Sequence, residues 1–446
     1  MLKYRIKLGN ALRRQDVWLR LVVVGLLILP TLYSSDLPPQ DYFERRLSDQ
    51  VGGRTFDFVV WEFKAALIKL GAEFAAPQDT LSETQRHRLV TDYLAELERA
   101  NTLEWKINGI YSQFSGQEAR DQAAPQERAL AEVRGWLAER QNLVEGILEE
   151  QTATELQAEG FGAWGYVWPP VKIRFTELPL LLVVSSRAEI TREADLTLKS
   201  GLALTEQIAL EDNIDNRFDT MRSLVTRIGG LSAYPAMILE TGSLSWLADT
   251  FAHEWTHHFL AFHPLGYNYA QSGEMTSLNE TTASIVGREI GRRVILRYYP
   301  EWADRLPSIP APPDCPPMSA GALVWPDEPP AGVFDYNREM RKTRLRVDAL
   351  LAEGQIDEAE HYMEERRHVF VQQGYDIRKL NQAFFSFHGS YATSPAAGNP
   401  IGGQLEWLRG NSPTLRAFVR QVSFLDNYDD FKAMLLRSRP GACQNE

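Results

Sequence analysis

The sequence predicts an α+β fold, with a small mixed sheet and a polar-faced helix set between two helical regions. Three observations predict it. Before residue 170 and after residue 335, apolar residues recur at steps of three and four, the spacing of one helix face. Between those regions, 171–204 carries short alternating or Leu/Val-rich runs of strand length. Beyond them, Ala252 to Phe259 reads A-H-E-W-T-H-H-F, which places His253, Glu254 and His257 in H-E-x-x-H spacing inside a helical run.

The 446 residues suffice for two or three domains with sizeable cores. A net charge of −12 argues against a nucleic-acid partner, because no basic stripe is present to neutralise phosphates. Solubility accounts for the acidity.

Residues 1–35 read as a cytoplasmic basic tail and transmembrane anchor. Lys3, Arg5, Lys7, Arg13, Arg14 and Arg20 precede or enter an apolar run, Val17 to Tyr33, just long enough to span a bilayer. Asp36, Asp41 and Glu44 follow it, so the positive-inside rule puts the N-terminus in the cytoplasm and the remainder outside. A cleaved signal peptide is the competing reading, but Leu32-Tyr33 before Ser34-Ser35 is a poor small-x-small site.

Residues 36–170 read as a helical N-terminal region. Ser82-Glu-Thr-Gln85 looks like a capping box, and Leu89, Val90, Tyr93, Leu94 and Leu97 give the stripe that follows. A second stripe runs over 126–157, set apart from the first by Pro125 and the polar stretch 115–124. Gly160 to Pro170 marks a boundary loop. Residues 171–300 read as the central unit: strands over 171–175, 178–185 and 196–204, helical spacing over 217–228, then a short strand over 233–239. Pro235 points to a sheet edge for that last strand, since proline cannot donate a ladder bond. The motif helix follows, and 276–299 is a further helix. Residues 301–334 read as a Pro-rich linker and 335–446 as a helical C-terminal region. Cys315 and Cys443 would pair outside the cytoplasm, or else be two free buried thiols.

His253 and His257 lie one turn apart on one helix face, so both can reach one metal ion. Glu254 projects about 100° round from them, beside the ion, where this motif places a general base. A catalytic zinc needs a third protein ligand. Leu278-Asn279-Glu280 supplies one: Glu280 opens the next helix, 23 residues past His257. His263 is the alternative third ligand; His258 points away from the pair.

H-E-x-x-H with a downstream N-E resembles the thermolysin-like gluzincin metallopeptidases over about residues 229–299. The resemblance implies a zincin-like catalytic domain, a zinc ion held by His253, His257 and Glu280, and Glu254 as base and proton shuttle. It also implies that the strand before the motif helix binds an extended peptide or protein substrate by strand addition, at Ala233, Tyr234, Ala236 and Met237. Many members carry an aspartate four residues after the glutamate ligand; Ser284 stands there, and Asp249 is a candidate substitute. An oxyanion donor commonly comes from the C-terminal part, where Tyr391 and His388 are the candidates. The segment around them loosely resembles bacterial aminopeptidases of the same group, and Glu240 is a candidate for holding a substrate amine. The expected activity is thus zinc-dependent peptide hydrolysis by a membrane-anchored enzyme, an aminopeptidase being one form of it. The alternative is a non-catalytic scaffold with a retained zinc site.

Overall fold

Two helices, α1 (Tyr42–Val51) and α2 (Phe58–Ala75), lead into a hairpin of long ones, α3 (Glu83–Gln113) and α4 (Gly116–Ala158). The computed structural model describes residues 42–439 and 443, apart from 76, 164, 310, 320–332 and 393. The stretch read as tail and anchor, 1–35, lies outside the described residues. Among those described, no helix is long and apolar enough to cross a membrane.

The capping box forms at Ser82, whose side chain accepts from the Gln85 amide while its own amide donates to Gln85 Oε1. The expected break at 115–125 is much shorter. A turn at Phe114 and Ser115 suffices, and α4 runs on through Pro125. Pro125 and Asp121, whose carbonyl loses its helical donor, both lie on the exposed side, so solvent reaches the orphaned oxygen.

A two-stranded hairpin, β1 (Gly162–Ala163) and β2 (Tyr166–Val167), fills the boundary loop. Then come β3 (Ile173–Phe175), β4 (Leu180–Ser186) and β5 (Ala194–Leu198). Helix and strand fall differently from the sequence reading over 199–228. The helix is α5 (Leu204–Arg217), and 221–227 is a strand, β6 (Met221–Arg227). Met221, Leu224, Val225 and Ile228 sit at helical spacing, but pairing along the whole of β4 decides the matter. The short strands β7 (Gly230–Leu231) and β8 (Ala236–Ile238) complete the set.

The strands make two three-stranded sheets. One is antiparallel, in the order β5–β4–β6; the other runs β3–β8–β7, with β8 parallel to β3 and antiparallel to β7. The expected edge strand is therefore an interior one. Pro235 stands just outside the ladder, which begins at Ala236, so it imposes no edge position. Ala233, Tyr234, Ala236 and Met237 are all buried, and the backbone of β8 is paired on both sides. Ladder bonds on both sides of Ala236 and Met237 rule out the expected strand addition there, and Ala233 and Tyr234 lie before the ladder with their side chains buried.

One outer edge of each sheet, β3 and β6, is closed by helix carboxylates. The amides of Ile173 and Phe175 on β3 donate to Glu149 and Glu145 of α4, at 2.8 and 2.7 Å. Likewise Ser223 and Val225 on β6 donate to Asp215 and Glu211 of α5, at 2.7 and 2.6 Å.

The motif helix is α6 (Leu244–Leu260), followed by α7 (Pro264–Tyr267) and α8 (Gly273–Tyr298). The C-terminal part contributes α9 (Tyr336–Ala352), α10 (Ile356–Gln372), α11 (Gln382–His388), α12 (Ile401–Gly410), α13 (Leu415–Ser423) and α14 (Tyr428–Ser438). One apolar core joins distant parts of the chain: Tyr93 and Val133, Phe251 and Trp255, and Trp407, Phe418 and Phe431 all belong to it.

Cys315 and Cys443 form a disulfide across 128 residues. It pins the segment before α9 to the chain's end, beside hydrogen bonds from Trp407 to the Asp314 carbonyl and from Gln404 to the Pro317 carbonyl. Closing so long a loop restricts the unfolded chain, worth roughly 4–5 kcal/mol on the chain-entropy account. Reductant should accordingly lower the unfolding midpoint, measured by denaturant titration with and without it. An unchanged midpoint would count against the pairing.

Candidate metal centre

The centre depends on how closely α6 and α8 approach. Gly287 and Gly291, one turn apart on α8, face α6: a Cβ at Gly287 would lie 2.7 Å from the Asp249 carbonyl, and one at Gly291 2.6 Å from the Asp249 amide. Glu280, Ser284, Gly287 and Gly291 share one helix face by their spacing, so the close contact carries Glu280 onto the histidines of α6.

Three atoms converge there. His253 Nε2 and His257 Nε2 are 3.1 Å apart, and Glu280 Oε2 lies 3.4 and 3.6 Å from them. Tetrahedral ligands about 2.0–2.1 Å from a metal ion stand about 3.3–3.4 Å from one another, so this triangle has the required size. Glu280 Oε2 is buried and has no hydrogen-bond partner. The three side chains form a group that can hold a metal ion.

Their neighbours aim these atoms. Asn279 donates its amide to the Leu265 carbonyl at 3.1 Å, which turns its oxygen toward His257 Nδ1 at 2.7 Å. That nitrogen therefore carries the ring proton, and Nε2 presents its lone pair to the triangle. Ser284 donates to the Glu280 carbonyl and lies 3.5 Å from His253 Nδ1, a longer contact on the second histidine. Asp249 does not take that place; its side chain packs against Gly291. Tyr269 donates to Glu280 Oε1 at 2.6 Å.

Charge within the centre is strongly coupled. Burial acts to raise the Glu280 pKa, yet His257 and His253 hold it well below the usual carboxylate range. Burial likewise opposes protonation of His257, but Glu280 overrides it and raises that pKa to about 9. Glu254 is buried beside the triangle and its pKa is raised, chiefly by that burial. Its carboxylate rests against Gly230 of β7, where a Cβ would overlap Oε1.

Tyr391 reaches this group. Its ring lies 6.4 Å from that of His253, and Glu280, burial and Glu254 together raise its pKa, so the phenol keeps its proton. His388 packs on Phe384 and Phe387, and burial lowers its pKa to about 4. His258 bonds the Ala233 carbonyl at 2.7 Å, and His263 bonds the Phe259 carbonyl at 2.9 Å, outside the triangle. Glu240 accepts from Tyr93 at 2.5 Å and Arg134 at 3.1 Å, so its charge already has a cation partner.

Sequence reasoning passed over Tyr269, Arg192 and the bonding role of Asn279. Arg192 sits over Phe387, which packs edge-on to Tyr391, and its charge opposes, without overcoming, the burial and carboxylate charge that raise the pKa values of Tyr391 and Tyr269. Asn279 was open to view beside Glu280. Tyr269 and Arg192 come from a loop and a strand connection, with no local pattern to mark them. No protein-family model, curated protein or solved structure matches the chain.

Proposed function

We propose that the chain is a zinc metallopeptidase of the gluzincin kind, with a zincin-like catalytic domain held outside the cytoplasmic membrane by its N-terminal anchor. One observation carries the reading: His253, His257 and Glu280 converge at ligand spacing, with the buried Glu254 carboxylate beside them and not among them. The donor set of two imidazoles and one carboxylate suits zinc. The disulfide favours an oxidising compartment.

When bound, zinc supplies Lewis acidity, polarising a carbonyl and making water a nucleophile near neutral pH. Glu254 takes the proton of the attacking water, and its raised pKa makes it the stronger base. As the C–N bond breaks, Glu254 returns that proton to the leaving amine. Tyr391, with its proton retained, donates to the oxyanion. Among the described residues no strand pairs with the outer side of β7, where Gly230 touches Glu254, and that edge is open to an extended substrate. Because Glu240 is engaged by Arg134, it gives no support to an aminopeptidase in particular.

Metal analysis and a peptide-library cleavage profile of the full chain in detergent test the reading. Stoichiometric zinc with no cleavage of any peptide would leave a scaffold role instead. Tyr391→Phe should lower kcat by about 10²–10³-fold, as loss of an oxyanion donor does. Steady-state kinetics should show KM little changed; an unaltered kcat would remove Tyr391 from the mechanism.

A further inference from the structure

Helix α2 is built inside out. Its inward side carries two charges: Lys69, 6 % exposed, pairs with Glu145 and Glu149 at 2.6 and 2.7 Å, and Glu62, 1 % exposed, accepts from the Tyr234 amide. Its outward side carries Val59, Val60, Phe63, Leu67 and Ile68, with Phe63 at 66 % and Leu67 at 54 % exposure. Lys64 is the one exposed charged side chain on α2 among the described residues. An outward face of this kind on a water-bathed helix costs solubility, and a contiguous apolar patch marks an interaction surface.

Sequence and position say what covers it. The apolar run Val17 to Tyr33, read as a bilayer span, ends only 25 residues before Phe58. A bilayer is thus held close to this face by the chain itself, which raises its effective concentration there. At 18 residues α2 is about 27 Å long, and an apolar side with a lysine beside it suits a helix lying in the headgroup boundary. The geometry points to α2 docking lengthwise on the lipid surface through Val59, Val60, Phe63, Leu67 and Ile68. This rests on the reading of 17–33 as a bilayer span. Phe56, Phe58 and Trp61 pack on Leu178, Ala233 and Met237, so docking α2 also fixes the metal centre relative to the bilayer.

The two cysteines are joined to each other, so a single new thiol can be labelled alone. The full chain, reconstituted into phosphatidylcholine–phosphatidylglycerol vesicles, is labelled with an environment-sensitive fluorophore at Phe63→Cys, and in a control at Trp105→Cys, 76 % exposed on α3. Docking is expected to give a blue-shifted emission at 63 that lipids carrying a headgroup-proximal spin label quench severalfold, with 105 unquenched. Equal quenching at the two positions overturns the proposal. So does protection of position 63 by a second copy, seen as a crosslinked dimer, or by the 17–33 segment, seen as an intramolecular crosslink. Extraction of the wild-type chain by alkaline carbonate, with quenching at 63 retained before the wash, would overturn the span and leave the docking standing.

Discussion

Glu254→Gln is expected to lower kcat for peptide hydrolysis by at least the ~10²–10⁴-fold associated with a positioned general base. Zinc content should not change, because Glu254 lies outside the ligand triangle. The substitution keeps the shape that fits against Gly230 while removing the group that accepts the proton. It also has a stability signature of opposite sign. The Glu254 pKa is raised in the folded state, so the ionised carboxylate opposes folding above its ordinary pKa of 4.5, and a neutral amide escapes that penalty. With zinc removed from both, the variant should therefore melt no lower than the parent near pH 7, and a higher midpoint fits a site that trades stability for function. Kinetics and metal analysis on the zinc-loaded protein, and thermal unfolding after chelation, check all three. Hydrolysis at the parent rate would remove Glu254 from the mechanism.

Glu280→Ala should cost more zinc affinity than the roughly 10–100-fold typical of losing a residue that merely orients a ligand. It takes away one of three converging atoms and leaves the Tyr269 hydroxyl without its acceptor. Competition with a chelator would measure the loss; unchanged affinity would mean that the ion is held elsewhere. The parent carries a linked pH dependence. Without metal, the His257 pKa is about 9, so below that pH a proton competes for the ring. Zinc affinity should rise with pH up to about 9. The sign for the metal-free fold is the reverse. Its His257–Glu280 pairing stabilises fully below the ordinary histidine pKa of 6.5 and is lost as pH rises through about 9. Zinc affinity that stays flat across this range would separate His257 from the metal.

Much of the centre was legible because helices expose their geometry in sequence. Four-residue spacing put His253 and His257 on one face, and the downstream N-E pair pointed to Glu280, which lies about two turns into α8 and not on its first turn as expected. The sheets were harder to read. Residues 221–227 have helical spacing and become a strand through pairing with β4, and 236–238 become an interior strand through partners at 173–175 and 230–231. Such pairings join distant segments and leave no local periodicity. The same holds for Tyr269 and Arg192, whose positions come from how a loop and a strand connection pack.

The carboxylates along β3 and β6 bear on how a flexible chain would meet this surface. An unstructured segment seeks backbone partners, and the outward amides at 173, 175, 223 and 225 already have them. Among the described residues, no strand pairs with the outer side of β7, which lies beside Glu254. Helices α4 and α5 thus act as a sieve on conformation: they turn an extended polypeptide away from two places where it would stick and leave the β7 edge, where the proposed peptidase would cut, without such a guard.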